Sequence, residues 1–424
     1  MSLPRLRSGQ VCGLDFGTSN SAIALATGEV LRLEHEARLS RSVLFFPEDT
    51  LDVLAGGPAI ERYLEDNAGR FIQSMKTWLP SSTFTRTQIR NRTLLLEELI
   101  AVFLRSLRAR AGEVLGSELT EVVMGRPARF STDPKADAFA QDRLHKAAQL
   151  AGFREVSFVI EPIAAALTYE ATLERDELVL VADFGAGTSD LTLMWLGPGR
   201  RVKGDRRVDV VASSGVYVGG DRFDAAIMKY KLLPYFGQGS TYEVGFKRMP
   251  IPTYVLGRLL SWNEMSLIRE RSTRELIDQM LKTSDSKPAI EALHDLVMYN
   301  LGYRLYRAIE QAKIELSTKP KATIVFDDER IHVEEKITRA EFDRFCRPLI
   351  DELEACTDEL LARAPKDLKI DSVFLTGGSS QLPSVRALFA RKFGEGRLRT
   401  ADAFTSVAEG LGRAADAAFK LSAE

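Results

Sequence analysis

A short pattern occurs twice in this chain and restricts its fold more than any other feature. Residues 12–25 read Cys-Gly-Leu-Asp-Phe-Gly-Thr-Ser-Asn-Ser-Ala-Ile-Ala-Leu, and residues 181–193 read Val-Ala-Asp-Phe-Gly-Ala-Gly-Thr-Ser-Asp-Leu-Thr-Leu. Each copy is an apolar strand tipped by an aspartate, a Gly/Thr/Ser turn and a second alternating strand. Asp15 and Asp183 stand 168 residues apart. A spacing that large implies a duplicated α/β lobe, with two equivalent hairpins that face each other.

Between the copies, strand and helix patterns alternate, as an α/β lobe requires. A helix is expected over Thr93–Leu115, with Leu95, Leu99, Val102, Phe103 and Leu107 on one face. Then come a strand at Glu121–Gly125 and a helix at Pro134–Ala151, capped by Asp133 and ended by Gly152. A strand at Val156–Ile160 and a helix opened by Pro162 complete the first half. The second half reads as a strand at Val208–Ala212, Gly219-Gly220-Asp221, and a helix from Asp221 to Tyr235. Gly237–Ser286 reads as irregular excursions of a subdomain, with Trp262 among them. Helices are expected at Ile290–Ser317, Thr338–Arg363 and Ser406–Leu421, and a strand at Ser372–Thr376 runs into Gly377-Gly378-Ser379-Ser380.

The repeated turns suit phosphate. Backbone N–H groups of a tight turn converge on an anion. Gly17, Gly185 and Gly187 permit unusual dihedrals and close approach, while Thr18, Ser19, Thr188 and Ser189 add hydroxyls. Asp15 and Asp183 bring two carboxylates to the same phosphates, an arrangement that suits a largely hydrated magnesium ion. Asp-Phe-Gly also occurs in protein kinases, but the H-R-D and V-A-I-K partners are absent, as are the Walker A and Rossmann fingerprints.

Composition removes other classes. A net charge of −2 offers no global basic field, so neither nucleic acid nor a membrane surface is an expected partner. The cysteines, Cys12, Cys346 and Cys356, are too few and scattered for a disulfide framework or zinc site, and read as inert thiols. His35, His145, His294 and His332 show no metal or nucleophile spacing. The start of the chain lacks a secretion-like apolar run, so the cytoplasm is the expected compartment.

Six motifs in order resemble the ATPase domain of the seventy-kilodalton heat-shock chaperones (DnaK type), and the chain looks closest to the YegD-like branch. Gly13 to Ser21, including Asn20, resembles the first phosphate loop, and Val122 to Phe130 is similar to the first connecting segment. Glu161 to Leu167 resembles E-P-x-A-A-A-L, and Asp183 to Asp190 the second phosphate loop. Gly219 to Asp224 resembles G-G-x-x-F-D, and Gly377 to Ser380 the adenosine loop. The resemblance implies an actin-like ATPase fold of two ribonuclease H-like lobes around a nucleotide cleft. Lobe I would span 1–181 with a subdomain inserted at about 38–118, and lobe II 182–424 with one at about 220–337.

The same resemblance implies ATP or ADP with Mg2+, and K+ at Asp190. It implies that Lys76 positions the attacking water, that Glu161 orients water or metal and couples the lobes, and that Asp183 and Thr188 act beside them. Gly185, Gly187, Gly219, Gly220 and Asp221 would surround the phosphates, and Glu310, Lys313, Ser317, Gly377, Gly378 and Ser379 the adenosine. Three positions depart from the pattern: Ile314 replaces an arginine that stacks on adenine, Gln381 another basic residue, and Phe404 an acidic one. Weaker nucleotide affinity is expected from losing the cation–π contact, and Ala186, in place of a glycine of the second loop, is a milder change if its φ stays negative. The motifs end with the last ATPase helix, so no internal peptide-binding domain is expected. A chaperone-like ATPase with client or co-chaperone proteins is the implied function. A sugar-type kinase and an actin-like filament protein are the alternatives within the superfamily.

Overall fold

The computed structural model describes residues 10–420 except 35–36, 202–205, 262–267, 269, 366–367, 401 and 403, and only the backbone of 10 and 416–420. His35 and Trp262 lie outside the described residues.

The duplication is visible in strand topology. The first sheet contains β1 (Gln10–Phe16), β2 (Asn20–Leu25), β3 (Ser40–Arg41), β4 (Leu119–Arg126) and β5 (Glu155–Ile160), in the order β5-β4-β1-β2-β3. The second contains β6 (Glu177–Phe184), β7 (Ser189–Leu196), β8 (Val210–Val216), β9 (Ser372–Thr376) and β10 (Leu398–Thr400), in the order β10-β9-β6-β7-β8. β1–β2 and β6–β7 are antiparallel hairpins, and β1–β4 and β6–β9 are parallel pairs. The two orders are therefore the same order, strand for strand. Near-continuous apolar runs such as Leu178–Ala182 are buried on both faces, as central strands of an α/β sheet must be.

Five helices matter for the site: α1 (Leu96–Leu115), α2 (Pro134–Leu150), α3 (Glu161–Glu170), α4 (Gly302–Thr318) and α5 (Ser406–Lys420). Asp133 caps α2 by accepting from the N–H groups of Lys135 and Ala136, and Gly152 follows at φ +103°. The halves exchange helices. α3 packs on β6 and β7 of the second sheet, while α5 packs on β1, β2 and β4 of the first. Ala164, Ala165 and Ala166 meet Val407, Leu411 and Ala415 in an apolar layer between the sheets.

Small residues let these backbones touch. A Cβ on Gly410 would overlap the Ala164 carbonyl oxygen, and one on Gly13 would overlap the backbone of Gly412. Gly410→Ala is therefore expected to force α3 and α5 apart and destabilise the chain by about 1–3 kcal/mol. Urea unfolding measures this, and an unchanged midpoint would refute the tight crossing.

Several expected elements differ. α1 begins at Leu96, because Arg92–Leu95 pairs as a strand with Arg86–Ile89. The strand expected at Val208–Ala212 runs from Val210 to Val216, following a 3-10 turn at Arg206–Asp209. The helix expected to Tyr235 stops at Ile227 and continues as π and 3-10 turns around Pro234. Gly237–Ser286 is not irregular: it holds a hairpin, Thr241–Val244 with Lys247–Pro250, and helices Thr253–Leu259 and Arg271–Thr283. The expected Ile290–Ser317 helix is two, Lys287–Met298 and α4, broken at Asn300 with φ +54°. The break is stabilised from the other half: Tyr63 Oη donates to the Asn300 carbonyl and Asn67 to that of Tyr299. Tyr303, just beyond it, packs on Tyr63 and Phe71 with ring centroids 5.6 and 4.9 Å away.

All three cysteines are buried free thiols. Among the described residues, no helix is long and apolar enough to cross a membrane.

Candidate functional site

The two hairpin tips open onto one cavity of about 410 Å³ between the sheets, a volume in the range of small-ligand sites. Asp15, Gly17, Thr18, Ser19 and Asn20 line it from the first half, with Lys76 and Glu161. Asp183, Gly185, Gly187, Thr188, Gly220, Asp221, Glu310, Lys313, Gly377, Gly378 and Ser379 line it from the second. Four expected residues do not reach the wall: Gly219, Ser189, Asp190 and Ser317, Ser189 being buried with its hydroxyl donated to the Val218 carbonyl. Gly219 lies behind Ala186, where a Cβ would overlap the Ala186 carbonyl. Asp190 sits opposite Asp183 in the hairpin register and accepts from Thr188 Oγ1 at 3.2 Å. Ser317 donates its hydroxyl back to the Lys313 carbonyl, 3.3 Å away.

The turns themselves correct one expectation. Neither Gly17, Gly185 nor Gly187 has positive φ, and Ala186 does not either. Gly17 is needed for space, since a Cβ would overlap the Asn20 carbonyl, whereas Gly187 faces open space.

Lys76 is the centre of the charge arrangement. Its ammonium is 2.5 Å from Glu161 Oε1, and Glu161 opens α3, where the helix dipole favours a carboxylate. Burial alone would lower the Lys76 ammonium, but the carboxylates of Glu161, Asp15 and Asp183 hold it above its ordinary value. Burial pushes Asp15 up to about 7, aided by Glu161 and opposed by Lys76. Asp183 is raised well above the carboxylate range by burial and by Glu161, Asp190 and Asp15. Asp190 is raised to about 7 by burial and Glu161.

Four carboxylates thus share one ammonium, an arrangement that leaves room for a cation. Among the described residues, no three His, Cys, Asp or Glu side chains form a direct metal-ligand set.

Sequence reasoning missed the supports. Lys76 lies in a short turn, Met75–Trp78, after Ser74 at φ +53°. Arg143 of α2, 3% exposed, fixes the chain beyond it by donating to the carbonyls of Trp78, Leu79, Ser81 and Phe84, with Glu97 as its counter-ion. Nothing in the sequence distinguishes this arginine. Arg41 of β3 reaches across to hold both Glu310 oxygens at 3.1 and 2.8 Å, joining the halves over the cleft. Asp224 pairs with Lys313 at 2.7 Å; its spacing of three from Asp221 on one helical turn was the available signal.

Asp224 is buried as well, and Asp221 is half-buried. Burial raises Asp221 to about 7, with Asp224 adding to it and Lys313 opposing. A carboxyl raised in the folded state keeps a proton that the unfolded chain has already released. Its share of stability is therefore present below about pH 4 and falls as pH rises towards 7. Asp221→Asn removes that loss, so the variant is expected to gain melting temperature over wild type at pH 8 and not at pH 4. Thermal melts in EDTA without nucleotide test this, and a pH-independent difference would refute it.

Comparison with known proteins agrees with this geometry. Residues 80–245 and 272–419 match the family model described as Hsp70 protein. The chain is similar to the chaperone protein DnaK of Thermosipho africanus, at 29% identity over 94% of this chain and 58% of that one. It is 28% identical to that of Thermosipho melanesiensis and to that of Thermotoga maritima, each over 91% of this chain and 55% of the relative. The chain spans little more than half the length of these relatives. It belongs to the Hsp70 family, and the paired sheets are the actin-like ATPase fold of that family's nucleotide-binding unit.

Proposed function

We propose that this Hsp70-family chain binds ATP or ADP with Mg2+ in its central cleft, hydrolyses ATP, and uses nucleotide state to control closure of the halves and a contact with a client or co-chaperone protein. One observation carries the reading: two sheets of identical topology present Asp15 and Asp183 to the same cavity, beside the Lys76–Glu161 pair.

In this reading Asp15 and Asp183 would hold a hydrated magnesium ion, which would supply positive charge to the triphosphate. The turns Gly17–Asn20 and Gly185–Thr188 contribute N–H groups and hydroxyls to the phosphates, with Gly219, Gly220 and Asp221 behind them. Lys76 and Glu161 hold the water that attacks the terminal phosphorus, so positioning supplies much of the acceleration. Glu310, Lys313 and Gly377–Ser379 take the adenosine, and Asp190 is available to K+ as a further cation. The lobes divide at about 181/182, with inserted subdomains 38–118 and 220–337. The Arg41–Glu310 pair and the Tyr63–Tyr303 contact lie where those subdomains meet, so closing over nucleotide would tighten them. The cytoplasm remains the compartment we expect.

Calorimetry of the full chain with ATP and ADP, with and without magnesium, tests the proposal. Magnesium-dependent binding of both nucleotides is the expected result, and no heat with either would end it.

A further inference from the structure

We infer that Arg129 is a second cation for the terminal phosphate of the bound nucleotide, and that through it the cleft distinguishes a triphosphate from a diphosphate. The inference rests on the nucleotide reading above and adds to it a residue outside the hairpin turns and the Lys76–Glu161 pair.

Three cationic side chains line the cavity: Lys76, Arg129 and Lys313. Two are already neutralised by the protein, Lys76 by Glu161 at 2.5 Å and Lys313 by Asp224 at 2.7 Å. Arg129 is exposed, and among the described residues it has no hydrogen-bond or ion-pair partner. Six carboxylates line the same wall, and none pairs with it. An arginine left unpaired in so acidic a cavity keeps its N–H donors for an anionic ligand.

The fold puts Arg129 at the phosphate end. β4 ends at Arg126, level with Ile160 of β5, so the loop after it leaves the sheet beside Glu161. The neighbour of β4 on its other side is β1, which carries Asp15. Ligands of α/β sheets gather at this carboxyl edge of the parallel strands. The loop is held on both sides of Arg129. Asp137 of α2 accepts from the N–H groups of Phe130, at 2.6 Å, and of Ser131, and it holds Arg126 bidentately at 2.9 and 2.8 Å. From the other half, the Ala128 N–H donates to Asp190, and Tyr217 Oη donates to the Phe130 carbonyl at 3.4 Å. The backbone is fixed while the side chain is free.

The same helix positions Lys76, since Arg143 of α2 holds the chain just after that lysine. One helix thus braces both loops that carry a cation to this end of the cavity. The wall around them adds Thr77, Ser131 and Tyr217, three hydroxyls. A planar guanidinium can bind a phosphate through two parallel N–H groups, which an ammonium cannot do. ADP lacks the phosphate that this guanidinium would contact.

Calorimetry on the full chain with Mg2+ and either ATP or ADP tests the inference in wild type, Arg129→Ala and Arg129→Lys. Arg129→Ala is expected to weaken ATP about tenfold, the scale of one charge-assisted contact, and ADP by less than about twofold. Arg129→Lys is expected to recover part of the ATP loss, because it keeps the charge but not the fork. Both variants are expected to melt with wild type when no nucleotide is present, since the side chain has no partner to lose. A lower melting temperature for Arg129→Ala would make the residue structural and overturn the inference. Unchanged ATP affinity, or ATP and ADP weakened by the same factor, overturns it as well and leaves the nucleotide reading standing. Failure of wild type to bind either nucleotide overturns both.

Discussion

Lys76→Met is expected to slow single-turnover ATP hydrolysis about 100- to 1000-fold, the usual loss when one preorganised donor is removed from a reacting group. The chain places this ammonium with little freedom. It is 9% exposed, held by Glu161 at 2.5 Å, and carried on a turn whose far side is fixed by Arg143. A charge fixed in advance costs no reorganisation at the moment of reaction. ATP affinity is expected to change far less than the rate, since the phosphates have the hairpin turns as separate donors. The substitution also leaves Glu161, Asp15 and Asp183 without their shared counter-charge, so the metal-free variant is expected to melt lower than wild type at pH 8. Quenched-flow measurement of ADP formation tests the first effect. Hydrolysis at near wild-type rate would remove Lys76 from the chemistry, even if the melting shift appears.

Asp183→Asn is expected to weaken Mg-ATP binding roughly 10- to 100-fold, the range for losing an outer-sphere partner of a metal. The carboxamide keeps the size of the side chain but lacks the charge that favours a hydrated cation. Because burial and three other carboxylates already disfavour ionised Asp183, the neutral variant has less repulsion to overcome when no cation is present. Its melting temperature in EDTA is therefore expected to equal or exceed that of wild type at pH 8. The rise in melting temperature on adding Mg-ATP is expected to shrink, since the shift follows the logarithm of ligand concentration over Kd. Opposite signs in the two conditions distinguish a cation site from a structural aspartate, whose loss would lower both. Unchanged Mg-ATP affinity would overturn the assignment.

The elements read correctly from sequence were those whose signals are local. The two hairpins are legible because alternation, an aspartate tip and a small-residue turn occur within about a dozen residues. α2 is legible because Asp133 and Gly152 mark its ends. The helix after Thr338 is equally so, with Thr338 and Glu341 bonded reciprocally as a capping box. The failures are non-local. The break at Asn300 interrupts a pattern that would otherwise continue, and contacts with Tyr63 and Asn67, more than 200 residues away, stabilise it. The hairpin within Gly237–Ser286 was hidden because its second strand, Lys247–Pro250, is wholly exposed and shows no apolar alternation.

The same division runs through the site. Both aspartates and both turns follow from residue type and spacing, whereas the role of the Gly377–Ser380 turn was implied only by family resemblance. Family resemblance added Lys76, Glu161 and the helix bearing Glu310 and Lys313, which spacing alone would have left as solvated charges.

By itself, then, the sequence determined that the chain contains a duplicated lobe and two Gly/Thr/Ser turns tipped by carboxylates, because backbone geometry and side-chain period are short-range properties. Only the tertiary structure decided that α3 and α5 cross between the halves, that Arg143 braces the Lys76 turn and Arg41 spans the cleft, and that Ser317 donates back to its own helix. Those outcomes depend on which surfaces meet after folding, and burial, charge coupling and close backbone approach have no counterpart in linear spacing.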